Sequence, residues 1–410
     1  MANMTLNSYV YQVQRAWEDC DGDRVGELVS IRNAHSHSTR LLSSIYEYDD
    51  TEQLTTHYGF NWPLNELVTY HLRVLTILST PPRSYTTALS VQCQFAQSFC
   101  KVLQSQTHEN WGLKVMEQLC RDLRTIALNV QKYEPMVTTD DHAPNGMEKA
   151  ADVIMGLFRV CAADTRTQEG ETKRWGMLSL VNHLFIIYFR INRLHLCKPL
   201  IRAIEQQTSL KDRFPREQLV TYKYYVGKKA MFDSEFRVAE ECFEYALKHS
   251  GSIKNKRKIL TYLIPVKMFL GILPTSECLI KYNLQQFEEV AESLKEGNIK
   301  RFSNSLKASE QAFIQDGVYL ILEKLQMLLY RNLFKKVWLI SGTHQVPIST
   351  LECALKWSGY NCTQDETHCI VANLIYSGQI RGYVSHQHQV LVVAKTNAFP
   401  VVGATSNTND

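Results

Sequence analysis

The chain has 410 residues, 45% hydrophobic and 21% charged, with 11 prolines and 18 glycines. That is too long for one small core and poor in breakers, so two or three soluble globular domains, or one extended array rich in long helices, are expected. Its net charge of +4 is uneven: residues 1–166 hold 14 basic and 19 acidic groups and residues 167–260 hold 18 and 10, so the middle is the part suited to an acidic partner or nucleic acid, unless it is only solvated surface.

The segment "MANMTLNSYVYQVQRAWEDC" lacks a basic region followed by an apolar one, so no signal peptide is expected. The most apolar run, "MLSLVNHLFIIYF" (177–189), is too short to cross a bilayer and carries Asn182 and His183, which reads as a buried helix. Eleven cysteines from Cys20 to Cys369 contain no C-x-x-C pair, as for free thiols in cytosol or nucleus. Cys362, His368 and Cys369 cluster loosely without zinc spacing, so no metal and no cofactor is expected.

Helical periodicity runs through residues 1–330. It places Tyr9, Val13, Ala16 and Trp17 on one face, and Leu89, Cys93, Ala96, Phe99 and Val102 on another. Breaks fall at 33–40, 79–84, 135–146 and 164–171, and the third, "PMVTTDDHAPNG", is the best linker. In "YYVGKKAMFDSEFRVAEECFEYAL", Gly227 is followed by Ala239, Phe243 and Ala246. That is the small–small–aromatic–small signature of a helix-turn-helix repeat of about 34 residues. Weaker echoes occur at 294–306, with Gly297, Phe302 and Leu306, and at 20–29.

The C-terminal part changes character. Residues 317–341 read as one long amphipathic helix and 343–348 as a short strand. Residues 349–357 read as a helix capped by Ser349 or Thr350, with Glu352 in its first turn. Residues 363–378 form a helix with a Thr363–Glu366 capping box and a stop at Gly378, and "QIRGYVS" and "VLVVAK" are two strands. This order is that of a winged helix, with "HQHQ" on the wing turn. The expected fold is mainly α: stacked helix-turn-helix (TPR-like) repeats, then a winged-helix subdomain. Its divisions are N-terminal repeats over 1–134, a linker over 135–146, repeats over 147–316, the winged helix over 317–396 and a flexible tail over 397–410.

Helical repeats running into a winged helix are the plan of PCI-domain proteins. The segments "KRWGMLSLVNHLFIIYFRINRLHLCKPLIRAI", "VTYKYYVGKKAMFDSEF", "YRNLFKKVWLI" and "ANLIYSGQIRGYVSHQHQ" resemble the PCI subunits of the nuclear mRNA-export complex TREX two. The likeness covers about residues 4–400 and is least typical at 31–62 and 134–147. It implies a non-enzymatic scaffold and adaptor in the nucleus, at or near the nuclear pore and its proteins. The implied partners are a large export scaffold subunit with its own PCI region and a small acidic, disordered Sem-type subunit. The paired winged helices would form a composite surface for RNA or DNA. The alternative is a PCI subunit of the proteasome lid, signalosome or a translation initiation factor.

No catalytic motif is present. A lid-type metalloprotease needs His-x-His, then seven residues to Ser and three further to Asp. Counting from His386 and His388 reaches Thr396 and Phe399. The histidines are either a polar wing tip or a contact to phosphate or a partner. Arg331, Lys335, Lys336, Lys356, Arg381 and Lys395 are the basic groups that could join them along a phosphate backbone, or face solvent or a partner. Lys254, Lys256, Arg257 and Lys258, with Lys223, Lys228 and Lys229, are nuclear-localisation signal, loop charge, or docking surface for the acidic subunit.

Overall fold

The computed structural model describes residues 4–46, 51–106, 109–134, 145–166, 168, 170–207, 210 and 213–402. Two compact units form, Met1–Tyr222 and Lys223–Asp410. The fold is helical repeats followed by a winged helix, as the periodicity predicts.

In the first unit the helix Leu6–Glu18 buries Tyr9, Val13 and Ala16. The helix Tyr85–Ser105 buries Leu89, Ala96, Phe99 and Val102, while Cys93 is only half-buried. The expected breaks at 33–40, 79–84 and 164–171 fall at or between helix ends. Residues 135–144 of the expected linker lie outside the described residues. The helices flanking them, Gly112–Tyr133 and Gly146–Ala162, pack against each other within this unit. Asn145 starts the second of them with a reciprocal capping box to Glu148. The apolar run folds as the helix Met177–Arg190. Its buried Asn182 donates to the Gln218 carbonyl at 2.9 Å, which gives the nitrogen end of this core amide a partner.

Two buried imidazoles meet near the N-terminus, His35 Nε2 and His71 Nε2 at 3.0 Å, with the Tyr9 ring stacked on both. Burial, and then the charges of Arg24 and His37, push the His35 pKa down to about 4. Burial also holds His71 well below its ordinary value. The unfolded chain therefore binds more protons than the native one between about pH 6.5 and 4, and stability present above this window is lost as pH falls through it. His35→Gln is expected to flatten the pH dependence of stability there. An equal slope in variant and wild type would contradict this reading.

The second unit carries the repeat signature. Gly227 lies on the helix Arg216–Phe232, and Ala239, Phe243 and Ala246 are buried on the helix Phe236–His249. A Cβ on Gly227 would stand 3.0 Å from two Phe243 ring carbons, so the absence of a side chain sets this helix–helix distance. Phe243 then stacks on Tyr262 of the next helix, Ile253–Phe269, with centroids 6.1 Å apart. Gly227→Val should overpack this joint by about 1–3 kcal/mol. Chemical denaturation of the full chain measures the loss.

The expected continuous helix over 317–341 is broken. Gly317 takes the left-handed conformation (φ 73°) and ends the helix Glu310–Asp316. A short helix, Tyr319–Lys324, then gives way at Leu325 to the helix Gln326–Ser341. The winged helix follows: β1 (Gln345–Pro347), the helices Ile348–Trp357 and Gln364–Tyr376, β2 (Gly382–Ser385) and β3 (Val390–Val393). The antiparallel sheet has the order β1-β3-β2. Thr363 and Glu366 make the expected capping box. Neither Ser349 nor Thr350 caps its helix, which starts earlier, at Ile348, directly after the end of β1 at Pro347.

The tail expected to be flexible from 397 is instead anchored as far as it is described. Ala398 and Phe399 are buried, and the Ala398 carbonyl accepts from the Arg381 backbone N–H at 2.8 Å. Residues 403–410 lie outside the described residues.

Candidate nucleic-acid and partner interface

Two surfaces of the second unit carry the predicted site residues: the winged helix and the repeat around the helix Ile253–Phe269. On the winged helix, Gln389 takes a positive φ of 54° and turns the chain between β2 and β3, lifting His386 and His388 into solvent. Gln389 donates to the His386 carbonyl at 2.7 Å and accepts from Gln364 Nε2 at 2.9 Å, which ties the wing to the helix Gln364–Tyr376. The His386 ring packs against His368 of that helix, with centroids 5.6 Å apart. The His368 Nδ1 lies 2.9 Å from the Gln364 carbonyl. No cluster of three metal-ligating side chains occurs among the described residues.

The basic groups do not form one stripe. Arg381 and Lys395 are exposed and adjacent, because the Ala394 N–H donates to the Arg381 carbonyl at 2.8 Å and Gly382 pairs with Val393. They stand at the base of the hairpin, one strand length of roughly 13 Å from the histidine tip. Lys356 is bound to Glu352 at 2.6 Å, one turn away on the same helix. Lys335 is exposed, and Lys336 donates to the Glu296 carbonyl at 2.8 Å.

Arg331 must be removed from the set. It is 5% exposed, its guanidinium lies over the Phe399 ring at 5.8 Å, and it donates to the Pro400 carbonyl. The irregular C-terminal segment of residues 398–400 covers it, so it holds the fold instead of facing a phosphate.

Between the helices Gln326–Ser341 and Ile348–Trp357 lies an open groove of about 650 Å³, lined mainly by apolar side chains. Ile340 and Trp357 on its walls are each 86% exposed, and Tyr376 and Tyr383 of the same subdomain are 83% and 62% exposed. An aromatic and aliphatic surface of this kind is unusual on a lone soluble chain and typical of an interface core. Reading the sequence for charge passed over it. The signal was there in "VWLIS" and "ALKWSG", where apolar residues occupy more of the helix than the core-facing stripe needs.

The second basic set also divides. Lys228 is half-buried, with Nζ 2.9 Å from Tyr262 Oη and 4.4 Å above that ring, and burial pushes its pKa down to about 8. Lys223 faces the Tyr245 ring at 6.0 Å, and Lys229 pairs with Asp233. Lys254, Arg257 and Lys258 are exposed and Lys256 half-buried, all at the start of the helix Ile253–Phe269. That helix has no acidic residue in its first turn and no side-chain cap. Four cations therefore sit at the positive end of a helix dipole, an arrangement that an anionic group would relieve.

Comparison with known proteins agrees with this architecture. A PCI domain matches residues 280–395. PCI domain-containing protein 2 of Danio rerio is 44% identical over 409 residues, covering 99% of this chain and 100% of that protein. The Drosophila melanogaster homolog of that protein is 44% identical over 97% of this chain and 99% of its own length. The more distant Protein CSN12 homolog of Schizosaccharomyces pombe is 29% identical over 87% of each chain. The chain therefore belongs to the PCI domain-containing protein 2 family.

Proposed function

We propose that this chain is a non-enzymatic scaffold subunit of the nuclear mRNA-export assembly, and that its winged helix docks on the PCI region of a larger export scaffold. The observation that carries this reading is the uncovered apolar face at Ile340 and Trp357, on the subdomain that the PCI family model matches. Desolvated Trp and Ile anchors supply most of the affinity of such interfaces, and the polar wing beside them stays in water. With the two winged helices side by side, the exposed pair Arg381 and Lys395, together with Lys335, would meet the nucleic-acid backbone as part of a composite site. The cation-rich start of the helix Ile253–Phe269 is the favoured seat of the small acidic subunit. Its four basic side chains and the helix dipole all attract carboxylates.

The nucleic-acid part has its own test. Reversing Lys335, Arg381 and Lys395 to Glu in the assembled complex should weaken RNA or DNA binding and lower the slope of log K against log salt by roughly 0.7–0.9 for each phosphate no longer neutralised. Binding and slope unchanged in an intact complex would take these residues out of the site.

A further inference from the structure

A cavity in the first unit, separate from the winged helix and from the basic repeat, has the chemistry of a cation site. It has a volume of about 500 Å³ and is lined by residues from 20–23, 110–117, 175 and 215–218. The half-buried indoles of Trp111 and Trp175 are on its wall. Trp111 is held at right angles to Trp17, with centroids 5.0 Å apart, and Trp175 at right angles to Phe214, at 5.7 Å. Both rings are thus held in place by their own neighbours.

The polar groups are almost all acceptors. Asp21, Asp23 and Glu117 supply carboxylates against one ammonium, Lys114, which reaches Asp23 only at 3.9 Å. Gln218 spends its amide nitrogen on Glu117 Oε1 at 2.8 Å, which leaves its Oε1 buried with no hydrogen-bond partner. A buried acceptor without a donor costs free energy until a donor arrives. Indole faces beside carboxylates attract a desolvated cation.

We propose that this cavity binds the lysine or arginine side chain of a basic peptide segment, held by the indoles and by donation to Glu117, Asp23 and Gln218. A free polyamine shares the cationic chemistry but not the flanking peptide. The local balance at the cavity, three carboxylates against the single ammonium of Lys114, favours approach of a basic chain.

The test titrates the full-length protein with the peptide acetyl-Gly-Arg-Gly-Arg-Gly-amide, with the same peptide carrying citrulline, and with spermidine, following tryptophan fluorescence and calorimetry. The arginine peptide should bind, the citrulline peptide should bind at least roughly tenfold more weakly, and Asp23→Asn with Glu117→Gln should cost a similar factor. Both substitutions keep side-chain size, and Glu117→Gln keeps an acceptor for Gln218. Circular dichroism confirms that the variant is folded. Equal binding of the arginine and citrulline peptides, unchanged affinity in the folded variant, or binding of spermidine alone would each overturn the proposal.

Discussion

Replacing Phe399 with Ala is expected to cost the second unit about 3 kcal/mol, and removing residues 398–410 to cost more. Phe399 is buried, packs on Trp338 with centroids 5.4 Å apart, and lies under the Arg331 guanidinium. The Pro400 carbonyl accepts from Arg331, and the Ala398 carbonyl accepts from the Arg381 N–H. Without this segment, a charged guanidinium in the core keeps only the Asn332 side chain as an acceptor and loses the Pro400 carbonyl and its aromatic cover, and a poorly compensated buried charge is among the more costly defects a fold can carry. Val402 extends the packing to Gly271 in the turn after the helix Ile253–Phe269: a Cβ on that glycine would stand 2.8 Å from the Val402 Cβ. Native-state hydrogen exchange across the helix Gln326–Ser341 measures the effect. Protection should fall by roughly a hundredfold in Phe399→Ala, since each 1.4 kcal/mol is a factor of ten. Wild-type protection in the variant would mean that the C-terminal segment rests on the surface without holding it.

Ile340→Asp and Trp357→Ala are expected to weaken scaffold binding by at least about 30-fold each, on the order of 2 kcal/mol, because truncated aromatic and aliphatic anchors at the centre of an interface cost this much. Both side chains are 86% exposed, so neither change opens a cavity, and the isolated chain should keep its stability. This separates the groove from the C-terminal segment: the first changes association with little effect on folding, the second does the reverse. Isothermal titration against the scaffold's PCI region, beside unfolding of the free variants, reads both quantities. Undiminished affinity would place the interface elsewhere on the chain.

The winged helix was legible because its signals are local. The switch from helical to alternating periodicity, the Thr363–Glu366 capping box and the turn between two β-branched runs all lie within a few residues of what they determine. The repeat joint was legible for the same reason, since Gly227, Ala239, Phe243 and Ala246 carry a fixed spacing.

What escaped the sequence depends on distant parts of the chain. Arg331 shares a helical face with Lys335, which suggests one exposed basic edge, but the chain returns 69 residues later to cover only the first of them. Lys228 reads as charge on a repeat surface, but it is half-buried, with its Nζ against the Tyr262 ring 34 residues on. Charge periodicity thus overcounted the basic groups that this subdomain leaves available. The apolar groove shows in the sequence only as apolar residues in excess of the core-facing stripe, and no local pattern says which of them are left exposed.

The central claim, an export scaffold subunit docking through its winged helix, is tested most directly by affinity purification of the tagged full-length chain from nuclear extract, beside the Ile340→Asp/Trp357→Ala variant. The account predicts that the wild type recovers a large PCI-containing export scaffold and a small acidic subunit, and that the variant loses the scaffold. Recovery of proteasomal, signalosome or initiation-factor subunits in place of the export scaffold, or equal recovery of the scaffold by both proteins, would contradict it.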